Sequence, residues 1–197
     1  MFVISLCAAG CGRPAFTGST LCAMHSANPN DDAEKLGEYM SQQKAIKDIC
    51  AQGLHFKEMD FSNHQFYGCN FSGASFTKCI FTGSAIRMSF FDFSTLVSCD
   101  FSAGDLQFLS LGGSAIQDCT FEGSELVFLN FGGTTILDSV FNKTNLYCSR
   151  FVSASILRSN FIDCNLKRTN FVNSRKENVS FKSSNTAEAI FETEEYN

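Results

Sequence analysis

From Phe56 to Phe171 a large apolar residue, Phe, Leu or Ile, recurs at every fifth position without a gap. Lys176 and Thr186 break the series, while Phe181 and Phe191 keep its phase. Two residues before most of these sits a small one, among them Cys69, Ala74, Ser89, Cys119, Ser149 and Cys164, and the other positions are mainly polar. A period of five fits neither the 3.6-residue helix nor the two-residue strand. The pattern therefore predicts a repeat architecture.

Segments such as Cys99-Asp100-Phe101-Ser102-Ala103 and Cys164-Asn165-Leu166-Lys167-Arg168 resemble the pentapeptide-repeat family, and the resemblance covers residues 54–191. It implies an all-β solenoid, a right-handed quadrilateral parallel β-helix with four pentapeptides to each coil. The series itself supports a coil of twenty residues. Phe61, Phe81, Phe101, Phe121, Phe141, Phe161 and Phe181 fall on one wall, and Phe71, Phe91, Leu111, Phe131, Phe151 and Phe171 on the wall opposite. The other two walls are mainly aliphatic, with Ile86, Leu106, Leu126, Leu146 and Leu166 on one and Leu96, Ile116, Ile136 and Ile156 on the other. At the usual strand spacing of about 4.8 Å, about seven coils make a rod of about 34 Å. No proline follows Pro29, as an uninterrupted ladder requires.

The 197 residues suffice for one elongated domain with a small appendage. The expected boundaries are a cysteine module at 1–28, a capping helix at 29–53, the β-helix at 54–185 with a frayed last coil, and an acidic tail at 186–197. The start has the outline of a lipoprotein signal ending at Cys11, but it lacks a basic leading region and its apolar stretch is short. No stretch approaches 18 apolar residues, so no membrane span is expected. Of the ten cysteines, Cys69, Cys79, Cys99, Cys119 and Cys164 take the small inward position, where Cys acts as a compact hydrophobe rather than a disulfide partner.

Metal chemistry is confined to the N-terminal module. Cys7, Cys11, Cys22 and His25 follow a C-x3-C-x10-C-x2-H spacing. Three thiolates and an imidazole in two close pairs suit tetrahedral zinc in a closed structural site. The Gly-Cys-Gly-Arg-Pro stretch and the Leu-Cys-x-x-His ending resemble small zinc knuckles over residues 5–27. A segment this short has no core of its own, so the ion would order it. Arg13 is its only basic side chain, too few for phosphate contacts, and direct nucleic-acid binding is not expected.

Between the modules, Asn30 reads as a helix cap followed by Asp31, Asp32 and Glu34. Leu36, Met40, Ile46, Ile49 and Cys50 form an apolar stripe, and Gly53 is a stop. This helix, spanning about 31–50, is expected to cover the open end of the solenoid.

No nucleophile–base pair, phosphate loop or paired carboxylates stand out, and the chain is not expected to be an enzyme. His64 falls at an inward small position and is read as structural. Charge is uneven along the rod. Residues 55–140 carry nine acids, including Asp100, Asp105, Glu122 and Glu125, against three bases, whereas residues 141–182 carry eight bases against two acids. Some members of the resembling family mimic duplex DNA and protect type II topoisomerases. The acidic body fits that role, and the basic end does not. A second surface feature is apolar: Met88, Phe108, Phe128 and Cys148 fall in one outward column, with Val127 and Tyr147 beside it. Such columns mark interaction sites. The favoured expectation is a cytoplasmic, non-catalytic protein-binding scaffold that uses this face for a partner or a homodimer. The alternative is a modulator of DNA gyrase or topoisomerase IV.

Overall fold

The computed structural model describes residues 5–192. Residues 1–4, on which the signal-like reading bears, and residues 193–197, the end of the acidic tail, lie outside them. The described chain is one helix followed by a parallel β-solenoid of about seven turns.

Helix α1 spans Pro29–Ser41 and is followed by three-residue strands from β1 (Ala45–Lys47) to β12 (Arg175–Glu177). Two walls form regular sheets. One is the five-stranded β1-β3-β5-β7-β9, in which β3 is Gln65–Tyr67, β5 Ala85–Arg87, β7 Asp105–Gln107 and β9 Glu125–Val127. The other has seven strands, running from β2 (His55–Lys57) through β4 (Ser75–Thr77) to β12. The remaining two walls are columns of single parallel bridges, such as Cys50, Asn70, Phe90, Ser110 and Asn130 on one, and Asp60, Ile80, Asp100 and Thr120 on the other. Each bridge joins residues twenty apart, so the coil is square and its length is twenty, as the walls of the series predict.

The central residue of each pentapeptide points inward. Phe61, Phe76, Phe81, Phe121, Ile136, Phe141 and Phe161 are fully buried. Stacked rings fill the core: Phe81 lies 4.6 Å from Phe101 with planes 3° apart, and Phe141 repeats this on Phe161. Facing Phe walls meet edge-on, as Phe131 does with Phe141 at 83°. Both arrangements suit the ring quadrupole. The small inward residues do a second job. Ser149 Oγ accepts the Leu129 N–H at 2.9 Å and donates to the Leu126 carbonyl at 2.6 Å, linking its coil to the one below. The oversized Leu109 and Leu129 are nonetheless accommodated inside.

The helix is shorter than its apolar stripe suggested. It begins at Pro29, whose fixed φ and missing N–H suit the first helical position. Asn28 therefore takes the cap position, with no side-chain cap bond, and Asn30 lies inside the helix. It ends at Ser41, because Ile46 is already a coil residue paired with Phe66 and Ala51 is a buried central residue. The small side chain of Ala51 hid this first coil from the five-residue series. The helix packs closely on the second coil wall. A Cβ at Gly37 would meet Met59 Cε at 2.7 Å, so a larger residue there would require the flexible Met59 side chain to move aside.

The far end is open. Lys176 pairs in register with Ile156 but is exposed, and its ammonium donates to the Ser174 carbonyl (3.0 Å) and Oγ (2.8 Å) while lying 5.5 Å from the Phe191 ring. A 3₁₀ turn at Thr186–Glu188 replaces the next strand.

Continuous stacking has a measurable consequence. Phe141→Ala should lower the unfolding free energy by about 3–5 kcal/mol in a denaturant titration. Phe191→Ala, at the open end, should cost less than half as much. Equal losses at the two sites contradict a stacked core that thins out at Lys176.

Candidate metal centre and surface columns

The N-terminal module is a loop folded back on itself. Leu6 and Pro14 form an antiparallel bridge, and the Cys7 N–H bonds the Arg13 carbonyl at 2.9 Å. The His25 N–H bonds the Cys22 carbonyl at 3.0 Å, a turn that presents both side chains to one point. All four donors, Cys7 Sγ, Cys11 Sγ, Cys22 Sγ and a His25 ring nitrogen, lie within 4.8 Å of one another. Cys7 and Cys22 are buried, and Cys11 and His25 are exposed.

The separations test whether one ion fits among them. Tetrahedral arms of about 2.3 Å to sulfur and about 2.0–2.1 Å to nitrogen imply S···S edges of about 3.8 Å and S···N edges of about 3.6 Å. Cys11 Sγ is 3.7 Å from Cys22 Sγ, and His25 Nδ1 is 3.5 Å from both Cys7 Sγ and Cys22 Sγ. The group can therefore hold a metal ion. The Cys22 backbone N–H, outweighing desolvation, draws the Cys7 thiol down to about 6. At Cys11 the Arg13 N–H pulls downward, but desolvation and the Cys22 and Cys7 sulfurs prevail and the net shift is upward.

The loop between the two ligand pairs docks on the solenoid. Phe16 is buried in the core cluster. The Thr17 N–H bonds the Cys50 carbonyl at 2.7 Å, and Thr17 Oγ1 accepts the Cys50 N–H at 2.9 Å. Thr17 thus supplies a missing rung beneath the first coil, a role that no periodicity in the sequence announces. His64 is half-buried, and its ring nitrogens lie 2.9 Å from the Ser62 carbonyl and 3.0 Å from the Ser41 carbonyl.

The sequence pattern missed one pair. His55 Nδ1 lies 2.6 Å from Ser75 Oγ on adjacent coils. The Ser75 N–H is itself bonded to the Leu54 carbonyl at 2.9 Å.

The residue two places after each central one turns a corner with positive φ, from Asp48 (55°) to Ser183 (62°). One corner column reads Gly53, Gly73, Phe93, Gly113, Gly133 and another Asn63, Gly83, Ala103, Gly123, Lys143, which apart from Phe93 are small or polar residues that suit the left-handed region. The column of Met88, Phe108 and Phe128 does not. Phe108 and Phe128 point outward, 57% and 45% exposed, with rings 5.1 Å apart and 5° from parallel. Tyr147 meets Phe128 edge-on at 5.8 Å, and Val127 is half-buried next to it. Met88 is exposed, as are Phe90 and Phe93, which the sequence reading left out.

The candidate acids are placed differently. Asp105 pairs with Arg87, Glu122 with Lys143 at 3.1 Å, and Asp138 with Arg158 through two 2.8 Å bonds. Asp100 accepts from the Ser102 N–H at 2.8 Å, and Glu125 accepts from Asn145 at 2.6 Å.

These features define a β-solenoid with a Cys3His cluster at its N-terminal end. The family model described as pentapeptide repeats (8 copies) matches residues 52–84. That stretch is made of pentapeptide repeats, and the same five-residue register continues on both sides of it. No curated protein matches the chain. Among solved structures it is similar to HetL of the cyanobacterium Nostoc sp. strain PCC 7120, involved in heterocyst differentiation regulation. HetL is 12% identical with a TM-score of 0.33, over 80% of this chain and 95% of that one. Full-length QnrB1, a plasmid-mediated fluoroquinolone resistance protein, is 10% identical with a TM-score of 0.31, over 71% and 90%. Rfr23 of the cyanobacterium Cyanothece 51142 is 12% identical with a TM-score of 0.27, over 81% and 99%. Likenesses this low carry no argument about what the chain binds.

Thiol chemistry checks the placement of the cysteines. Burial holds Cys69 at about 11, and the Cys119 side chain is the leading cause that holds Cys99 at about 12. At pH 7 such thiols are less than about one part in a thousand thiolate. Alkylation of the native protein should therefore leave Cys69 and Cys99 unmodified until the chain unfolds. Early labelling of Cys99 in the folded protein contradicts its inward position.

Proposed function

We propose that the chain is a non-catalytic protein-binding scaffold whose docking edge is the corner carrying Met88, Phe108 and Phe128, with Val127 and Tyr147 beside it. The Phe108–Phe128 stack carries the reading. A bulky side chain in the left-handed region costs about 1 kcal/mol or more, and an exposed contiguous apolar patch is otherwise unfavourable for a soluble rod. Both costs are offset when the rings are buried against a partner. The scaffold works in a reducing compartment, the cytoplasm, consistent with ten cysteines that are all free. No helix among the described residues is long and apolar enough to cross a membrane.

The ion of the Cys3His cluster is zinc, and its role is structural. All four coordination positions belong to protein side chains, which leaves none for a reacting water. Zinc would hold the two ends of the Phe16–Thr17 loop and so keep that loop seated beneath the first coil.

The second reading is a DNA-mimicking modulator of DNA gyrase or topoisomerase IV that uses the acidic body. Mimicry of a duplex relies on rows of unneutralised charge, whereas Asp105, Glu122 and Asp138 each have a cationic partner on a neighbouring coil. The docking reading is preferred for that reason. Gyrase supercoiling left unchanged by the protein at about micromolar concentration, with and without a quinolone, removes the alternative.

Two outcomes follow for the favoured reading. Purified protein should contain one zinc per chain by elemental analysis, and Cys22→Ala should lose it; metal-free wild type overturns the zinc assignment. Phe108→Ser with Phe128→Ser should leave the unfolding transition nearly unchanged, since neither ring is in the core, while removing the rod's associations in quantitative co-purification. Retention of every associate by the double variant overturns the docking edge.

A further inference from the structure

The docking corner is a column of seven left-handed residues stacked coil on coil: Asp48, Gly68, Met88, Phe108, Phe128, Cys148 and Arg168. It carries an acid at one end, a base at the other, and apolar side chains between. Asp48 and Arg168 each lie three coils from Phe108, about 14 Å at the usual strand spacing. Neither forms an ion pair among the described residues; the Arg168 side chain reaches only the Tyr147 hydroxyl, at 3.4 Å.

We infer that the partner of this corner is a second copy of the chain, docked antiparallel about a two-fold axis that passes beside Phe108. The inference rests on the docking reading above and names its occupant. An isologous interface needs a surface complementary to itself, and this column is one in a single register. With the axis at Phe108, the two Phe108 rings meet, Met88 faces Phe128 of the other copy, and Gly68 leaves room opposite Cys148. Asp48 then faces Arg168 at both ends.

The competing arrangements fail on charge. A parallel dimer sets Asp48 against Asp48 and Arg168 against Arg168. An antiparallel dimer centred between Phe108 and Phe128 sets Asp48 against Glu188 and Arg168 against Gly68. On the flank of the favoured register, Tyr67 meets Tyr147. Lys47 comes opposite Lys167, but Lys47 lies 6.0 Å from the Tyr67 ring and Lys167 is 3.6 Å from Glu188, so each ammonium has a local partner. The contact is one corner wide, which places the dimer in the small, weak class below about 1,200 Å² of buried surface.

Sedimentation of the full chain between about 1 μM and about 1 mM tests the proposal over the range in which weak dimers dissociate. Wild type should shift from monomer to dimer. Asp48→Arg and Arg168→Asp each bring like charges together at both ends and should weaken the dimer about tenfold or more, while the two combined should restore it to within about threefold. Both changes are compatible with the fold, because Arg158 and Arg168 already occupy equivalent corner positions at φ of 44° and 57°, and Asp118 and Asp163 do so at 53° and 59°. Wild type that is monomeric throughout, or single variants that dimerise like wild type, overturn the proposal. A monomer that still loses a foreign partner on Phe108→Ser with Phe128→Ser leaves the docking edge standing. A dimer indifferent to that double change overturns both readings.

Discussion

The whole rod depends on hydrogen bonding between coils exactly one turn apart in the chain's own count. The Phe81 N–H reaches the Asp100 carbonyl above it at 2.6 Å, the Asp100 N–H reaches the Cys79 carbonyl below at 3.1 Å, and the pattern repeats on all four walls. Because each backbone group is satisfied by the neighbouring coil, no coil can be longer or shorter than twenty residues without orphaning a rung. That constraint fixes everything else: which residue points inward, which turns the corner with positive φ, and which outward residues stand above one another. The ring stacks of the core and the aligned columns of the surface are two consequences of one register.

The same constraint explains how much of the structure the sequence made legible. The square coil, its Phe and aliphatic walls and the inward cysteines could all be read because the register repeats. The first coil could not, since Ala51 is too small to mark the period and Ile46 alone looks like part of a helical stripe. The end of the helix at Ser41 was hidden for the same reason. The Cys3His set was visible from spacing, yet the seat of Thr17 under Cys50 was not, because it is a single contact between modules. The outward Phe108 and Phe128 column followed from counting by twenties. Phe90 and Phe93 were missed because they lie on neighbouring columns, one of them otherwise glycine-rich.

The two ends of the solenoid differ in chemistry, one covered and the other open. At the N-terminal end, helix α1 and the Phe16–Thr17 loop cover the apolar cross-section and pair the first edge. At the C-terminal end, Lys176 places an ammonium where the core would continue, and its hydrogen bonds to Ser174 cover part of the last rung. An exposed edge invites further strands, and a lysine on that edge strand discourages end-to-end stacking. The proposed association is therefore lateral, and among the described residues one corner along the sides combines bulky apolar residues with complementary charges at its two ends.

Small-angle X-ray scattering from a concentrated solution tests this lateral association most directly, because shape separates the possibilities that mass alone does not. Antiparallel docking at the Phe108 corner predicts a particle of doubled mass whose maximum dimension stays close to that of one rod and whose cross-section grows. Doubled mass with nearly doubled length would mean that the rods join through their ends, and would contradict the assignment of the apolar corner as the docking edge.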